Sequence, residues 1–286
     1  MNIIDIFTNP VILSMFAGSV LIGLLISVCA SLLGVTLVLK KYSMLGDGLA
    51  HIGFGSMAIA AVCEKLFGEK LGSYSLLISV PIVIAAAVLI LKLDEKNGLK
   101  GDSAVAIVST GALALGYVVF QYATGNTTDV CSSMFGSASL LTPSTADIIT
   151  TVLLAAAVMT IFILYYNRIF AVTFDETFSK SSGIKTDRFK TVIAVLAALT
   201  VVMGMKMLGA VMISGLIVFP ALSAMRICNT FKRVIVAALI ISASCTLIGI
   251  MLSFLIGGMP IGPSVVIVNL ILYLLLSVIS SRKNEN

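Results

Sequence analysis

The stretch "FTNPVILSMFAGSVLIGLLISVCASLLGVTLVL", residues 7–39, carries no charged side chain and is closed at once by Lys40-Lys41. A helix needs about 20 apolar residues to cross the hydrocarbon core of a bilayer. This segment alone can therefore span, with tilt or with an interfacial start. The rest of the chain is written the same way. Of its 286 residues, 59% are hydrophobic and 11% are charged, against about 25% charged in ordinary soluble domains. Its mean hydropathy is +1.14. So little polar surface cannot cover a globule in water. The apolar runs are long and continuous rather than alternating in short strands, which points to helices and away from a barrel. The expected fold class is an all-α integral membrane protein, a polytopic bundle of eight or nine transmembrane helices forming one domain over residues 1–286.

Further apolar segments follow at about 43–64, 74–91, 104–122 and 148–166. Two short ones flank Lys206, and two more are separated by "GGMPIGPS", residues 257–264. The basic residues fall between these segments, at Lys40-Lys41, at Lys92, Lys96 and Lys100, from Arg168 to Lys190, and in "RICNTFKR". That is the pattern of cytoplasmic loops, so the net charge of +5 reads as topology rather than as a nucleic-acid surface. Placing these loops inside puts the lysine-free loops near 124–147 and 257–263 outside. Nine crossings result, with the N-terminus outside and the C-terminus in the cytoplasm. Eight result if a segment around Lys206 is re-entrant. Lys206 itself reads either as a hairpin tip snorkelling to the interface or as a charge lining a pathway. The start "MNIIDIFTNP" has no basic region, so no cleaved signal peptide is expected. Five cysteines lie far apart without a CxxC pair, four of them in or at the ends of apolar stretches and Cys131 in a polar loop, so neither a disulfide framework nor a zinc knuckle is expected.

Within the second segment, "SMLGDGLAHIGFGSMAIA" (43–60) holds the only histidine of the chain, His51, four residues after Asp47. On a helix that spacing puts both side chains on one face. A carboxylate within the membrane costs at least about 2.5–3.5 kcal/mol on insertion scales, so the pair should face the bundle interior or a watered path. Carboxylate plus imidazole suits Zn²⁺, Mn²⁺ or Fe²⁺. A structural hydrogen bond between helices and a proton relay use the same two residues. Two ligands are too few to hold a metal tightly, whereas a transport site must release its ion, and a two-fold dimer would supply a second pair. Gly46, Gly48, Gly53 and Gly55 allow close helix approach or local unwinding.

Absent motifs narrow the class. There is no HExxH, no set of three histidines and no GxxxxGK[ST], so the chain is not expected to be an enzyme of those kinds or to bind ATP by that loop. If ATP drives it, another polypeptide must hydrolyse it. The polar interval "FAVTFDETFSKSSGIKTDRFK" (170–190) looks amphipathic, with Phe174, Phe178 and Ser182 on one face and Asp175-Glu176 at a helix start. It reads as a solvated loop or as a docking site for a partner protein.

"KYSMLGDGLAHIGFGSMAIA", "FDETFSKSSGIKTDR", "KMLGAVMISGLIVFPALSAMRI" and "MPIGPSVVIVNLILYLLL" occur in that order. In this the chain resembles the membrane permeases of metal-importing ATP-binding-cassette transporters, over roughly residues 11–281. The resemblance implies two copies of the permease in the cell membrane, paired with two cytoplasmic ATPases and fed by an extracellular metal-binding protein. No permanently bound cofactor is implied; the divalent metal is cargo, zinc or manganese first and iron as a third choice. It also implies that Asp47 and His51 line the ion path, and that residues 170–189 form the ATPase-coupling loop, with Asp175, Glu176, Phe178 and Gly183 in it. Ala50 and Gly55 stand where the family often has serine and proline. The competing reading is a secondary, proton-coupled transporter with Asp47–His51 as its relay.

Overall fold

A computed structural model describes residues 10–67, 75–97, 101–124, 143–256 and 259–285, and all its regular structure is helical. Eleven helices follow in chain order among the described residues. They are α1 (Pro10–Leu39), α2 (Ser43–Phe67), α3 (Ser75–Asn97), α4 (Gly101–Thr124), α5 (Thr145–Leu164) and α6 (Tyr166–Phe174), followed by α7 (Glu176–Ser181), α8 (Thr186–Leu208), α9 (Ala210–Ile227), α10 (Phe231–Ile256) and α11 (Ile261–Glu285). All but α6 and α7 are long and apolar enough to cross a membrane, nine spans in all. The segment around Lys206 gives two of them, of 23 and 18 residues, which favours nine crossings over eight. Cys131 and most of the loop at 124–147 lie outside the described residues.

Burial sorts the spans into a centre and a rim. α1, α2 and α8 are mostly enclosed, whereas α3, α4, α5 and α11 leave most of their surface open. Exposed apolar side chains such as Leu77, Leu115, Leu153 and Leu274 suit a hydrocarbon surround. Between helices that gain nothing from expelling water, small residues let backbones approach. Gly34 of α1 lies against the Ile217 backbone of α9, and any side chain there would collide with that carbonyl. Gly55 of α2 faces Gly116 of α4, where an added Cβ would sit 2.5 Å from the Gly55 Cα. α2 continues unbroken through this point, so Gly55 serves contact with α4 rather than a bend.

The turn between α1 and α2 is made by three residues. Lys41 adopts a left-handed backbone, φ 62°. Tyr42 N–H donates to the Leu37 carbonyl at 2.9 Å and Lys41 N–H to that of Val38 at 3.0 Å. This is a Schellman motif without its usual glycine. It delivers α2 directly after α1, with Asp47 five residues into the new helix.

Lys206 meets Asp147 of α5, with Nζ 2.9 Å from Oδ1. Sequence left it between a snorkelling tip and a pathway charge; the structure makes it a partly buried ion pair tying α5 to α8. Beside it, Gly209 at φ 90° turns α8 into α9 with a single residue.

Candidate functional site

Asp47 and His51 lie in successive turns of α2, with Oδ2 of Asp47 3.5 Å from Nε2 of His51. Glycines on either side set how closely the neighbours approach. Gly46 packs on the Ile217 side chain of α9 and Gly48 on Val105 and Ser109 of α4. Two residues beyond His51, Gly53 receives the Met205 thioether of α8. From Ile217, α9 runs ten more residues to Ile227, about 15 Å towards the end of the bundle that carries the basic loops. Along α2 itself, Asp47 and His51 are the fifth and ninth residues of the Ser43–Cys63 span, so the pair lies inside the span, in the half nearer the basic end.

The pair is not closed off. The Asp47 side chain is 52% exposed and that of His51 is 27% exposed, while Leu45, Leu49, Ala50 and Ile52 around them are buried. One face of α2 is thus open at its most polar point. On α9, the Ser214 hydroxyl comes within hydrogen-bonding reach of the Asp47 carboxylate. Nothing in the sequence reading singled out Ser214. The signal was there, as a hydroxyl in the short apolar helix "AVMISGLIVFP". The His51 Nδ1 is buried without a hydrogen-bond partner. In the neutral tautomer with Nε2–H directed at Asp47, Nδ1 would keep its lone pair, the form in which imidazole accepts a cation. Among the described residues no three His, Cys, Asp or Glu side chains come together. One copy therefore presents two ligand-type side chains and a hydroxyl, not a closed cage.

The second candidate region lies at the basic end. The expected single amphipathic face over Phe174, Phe178 and Ser182 is corrected here. The chain breaks at Asp175, whose backbone is extended (φ −143°, ψ 99°), so Phe174 ends α6 and Phe178 belongs to α7. Asp175 caps α7, its Oδ1 accepting the Phe178 N–H at 2.8 Å. Gly183 ends the motif at φ 81°, with Ile184 N–H donating to the Ser179 carbonyl at 3.0 Å. Glu176 is bound to Lys190 of α8, Oε1 to Nζ 2.6 Å. Phe174 and Phe170 stack with Phe231 of α10, while Phe178 stands 68% exposed. A six-residue helix is thus fixed at both ends and presents an aromatic side chain outward.

Lys40, beside this region, links it to the first. Burial pushes its ammonium down to about 8; Glu176 opposes that shift and Lys190 adds to it. The unfolded chain keeps this proton to about 10.5. Between those values the unfolded state holds more protons than the folded one, so stability rises with pH across the interval. Below about pH 8 the unfavourable contribution is present in full. Unfolding midpoints of the purified chain should therefore climb from pH 8 to 10.5, and Lys40→Met should flatten that climb. An unchanged slope in the variant would place the proton elsewhere.

Nine helices apolar and long enough to cross a membrane, counted among the described residues, with an ionisable pair in one of them, mark a multi-pass membrane protein. The chain belongs to the ABC 3 transport family, whose pattern matches residues 13–280. It is 23% identical over 230 residues to the manganese transport system membrane protein MntC of Listeria monocytogenes, covering 80% of this chain and 78% of that one. It is 26% identical over 257 residues to the high-affinity zinc uptake system membrane protein ZnuB of Haemophilus influenzae, covering 90% and 94%. Its fold matches a chain of PsaBC from Streptococcus pneumoniae in complex with Fab, with a TM-score of 0.80 at 20% identity, covering 96% of this chain and 93% of that one.

Proposed function

We propose that this chain is the membrane permease subunit of an ATP-driven importer of divalent transition-metal ions, zinc or manganese foremost and iron as a third candidate. The observation that carries this is the Asp47–His51 pair within a span, open on one face, with an unpartnered imidazole nitrogen. Family membership and relatives named for manganese and zinc transport support it.

In this reading the whole chain is one transmembrane domain in the cell membrane, and its basic end, with the C-terminus, faces the cytoplasm. The open face of α2 meets the same face of a second copy, so that two Asp–His pairs and two Ser214 hydroxyls surround the passing ion. The carboxylate compensates charge, and the imidazole disfavours Ca²⁺ and Mg²⁺, which prefer all-oxygen shells. The site binds the ion briefly and releases it as the protein alternates access. An extracellular metal-binding protein supplies the ion.

The chain hydrolyses nothing itself. A separate cytoplasmic ATPase docks on the coupling loop at 170–189, where Asp175 and Gly183 shape α7 and Phe178 is the contact. Glu176, through Lys190 and Lys40, ties that loop to the α1–α2 turn, seven residues before Asp47. Movement at the docking helix is thereby passed to the helix that holds the ion.

Reconstitution in vesicles tests the reading. Uptake of radiolabelled zinc or manganese should require the co-expressed ATPase and ATP, and should ignore an imposed proton gradient. Uptake that follows the proton gradient without an ATPase would establish the proton-relay alternative instead.

A further inference from the structure

At the basic end, a cavity of about 500 Å³ opens between the end of α5 and the start of α8. Arg168, Lys185 and Arg188 line it together with Tyr165, Phe189 and Val192. Among the described residues none of the three cations is in an ion pair; the pairs formed join Asp47–His51, Glu176–Lys190 and Asp147–Lys206. Three unneutralised cations around one hollow attract an anion. Two of them are arginines, whose planar forks suit phosphate oxygens. Arg168 is held in place by its own stacking, with its guanidinium carbon 5.7 Å from the centre of the Phe189 ring. Tyr165 meets the same ring edge-on at 5.6 Å.

Location identifies the source of the anion. The cavity lies where two spans end, Thr145–Leu164 and Thr186–Leu208. Its α5 wall continues directly into Ile163 and Leu164, which are 69% and 72% exposed, and so into surface suited to acyl chains. Tyrosine beside cations at the end of a span is the signature of the membrane interface. Ser182 and Gly183, at the C-terminal cap of α7, close one side of the cavity, whereas the exposed Phe178 is not part of its lining.

We infer that this cavity binds a phosphate group, and that its source is the headgroup of an anionic phospholipid of the surrounding bilayer. The inference does not rest on the transported ion, although Lys185, Arg188 and Phe189 of the lining also fall within the proposed coupling loop at 170–189. A basic pocket at the ends of spans selects such headgroups over zwitterionic ones by charge and hydrogen bonding.

The test is native mass spectrometry of the purified full chain in detergent, offered phosphatidylglycerol and phosphatidylcholine in equal amounts. Phosphatidylglycerol should be retained preferentially. Arg168→Gln with Arg188→Gln should reduce that preference about tenfold or more, while Arg168→Lys with Arg188→Lys keeps most of it. Lys185→Gln, in an exposed turn, should give a smaller loss in the same direction, and it carries the test if the double variant does not fold. A second arm adds inorganic phosphate. Phosphate that expels the lipid at equal concentration would mean a soluble ligand and would overturn the lipid assignment. Preference unchanged in Arg168→Gln/Arg188→Gln, with ATPase co-purification lost instead, would reassign the surface to a protein partner.

Discussion

Asp47→Asn and His51→Ala should each reduce metal uptake to background in cells, while the chain should still reach the membrane and co-purify with the proposed ATPase. Asn keeps the size of the aspartate and its reach to Ser214 but removes the charge that offsets a dication. Ala removes the imidazole, and with it the nitrogen that, in the proposed site, would separate a transition metal from Ca²⁺. Both positions are partly open, so neither change leaves a large cavity, and loss of folding is not the expected route to failure. The distinction is read in two measurements, radiometal uptake and recovery of the intact assembly. Normal uptake in both variants would remove Asp47 and His51 from the ion path. Loss of assembly together with uptake would make the pair a structural stitch. Ser214→Ala is the milder companion, expected to weaken uptake rather than abolish it.

The second large effect concerns Phe178. A 68% exposed phenylalanine on a helix only six residues long has no packing role in a lone chain. Buried in a partner's pocket, one aromatic anchor contributes about 2 kcal/mol or more, which is a loss of about thirtyfold in affinity when it is truncated. Phe178→Asp adds a desolvated charge to that loss. Co-purification of the ATPase should disappear, and ATP-dependent uptake with it, while the thermal stability of the isolated chain stays unchanged. Glu176→Gln acts differently. It loosens α7 from Lys190 and leaves the contact residue in place, so ATP hydrolysis persists while transport per ATP falls. Intact ATPase recovery with Phe178→Asp would move the docking surface off α7.

The spans were legible because their cause is local. A charge-free run such as 7–39 can be satisfied in a bilayer only as a helix, and Lys40-Lys41 mark where it stops. The Asp47–His51 pair was legible for the same reason, since an i, i+4 spacing is a property of one helix. What depends on a second element was not. Lys206 could not be assigned from its own neighbourhood because its partner, Asp147, lies 59 residues away on another helix. Ser214 and Lys190 gain meaning only once α9 and α8 are packed beside α2 and α7. The break at Asp175 was missed through period. Phe174, Phe178 and Ser182 do recur at helical spacing, but an aspartate that can cap the next turn competes with helix continuation and wins. "DETF" carried that signal, since Asp175 stands three residues before the amide it caps.

The meeting of Gly55 with Gly116 bears on the surroundings as much as on the site. Contact there is largely backbone against backbone, with the Phe54 ring of α2 lying beside Gly116. Any displacement of α2 therefore carries α4 with it as a single stiff paddle. The outer blade of that paddle is Ile107, Leu115, Val118 and Tyr122, all more than half exposed. In the proposed transport cycle, work done to shift Asp47 would be done partly against the lipid shell, and the thickness and fluidity of the membrane would enter turnover as mechanical load.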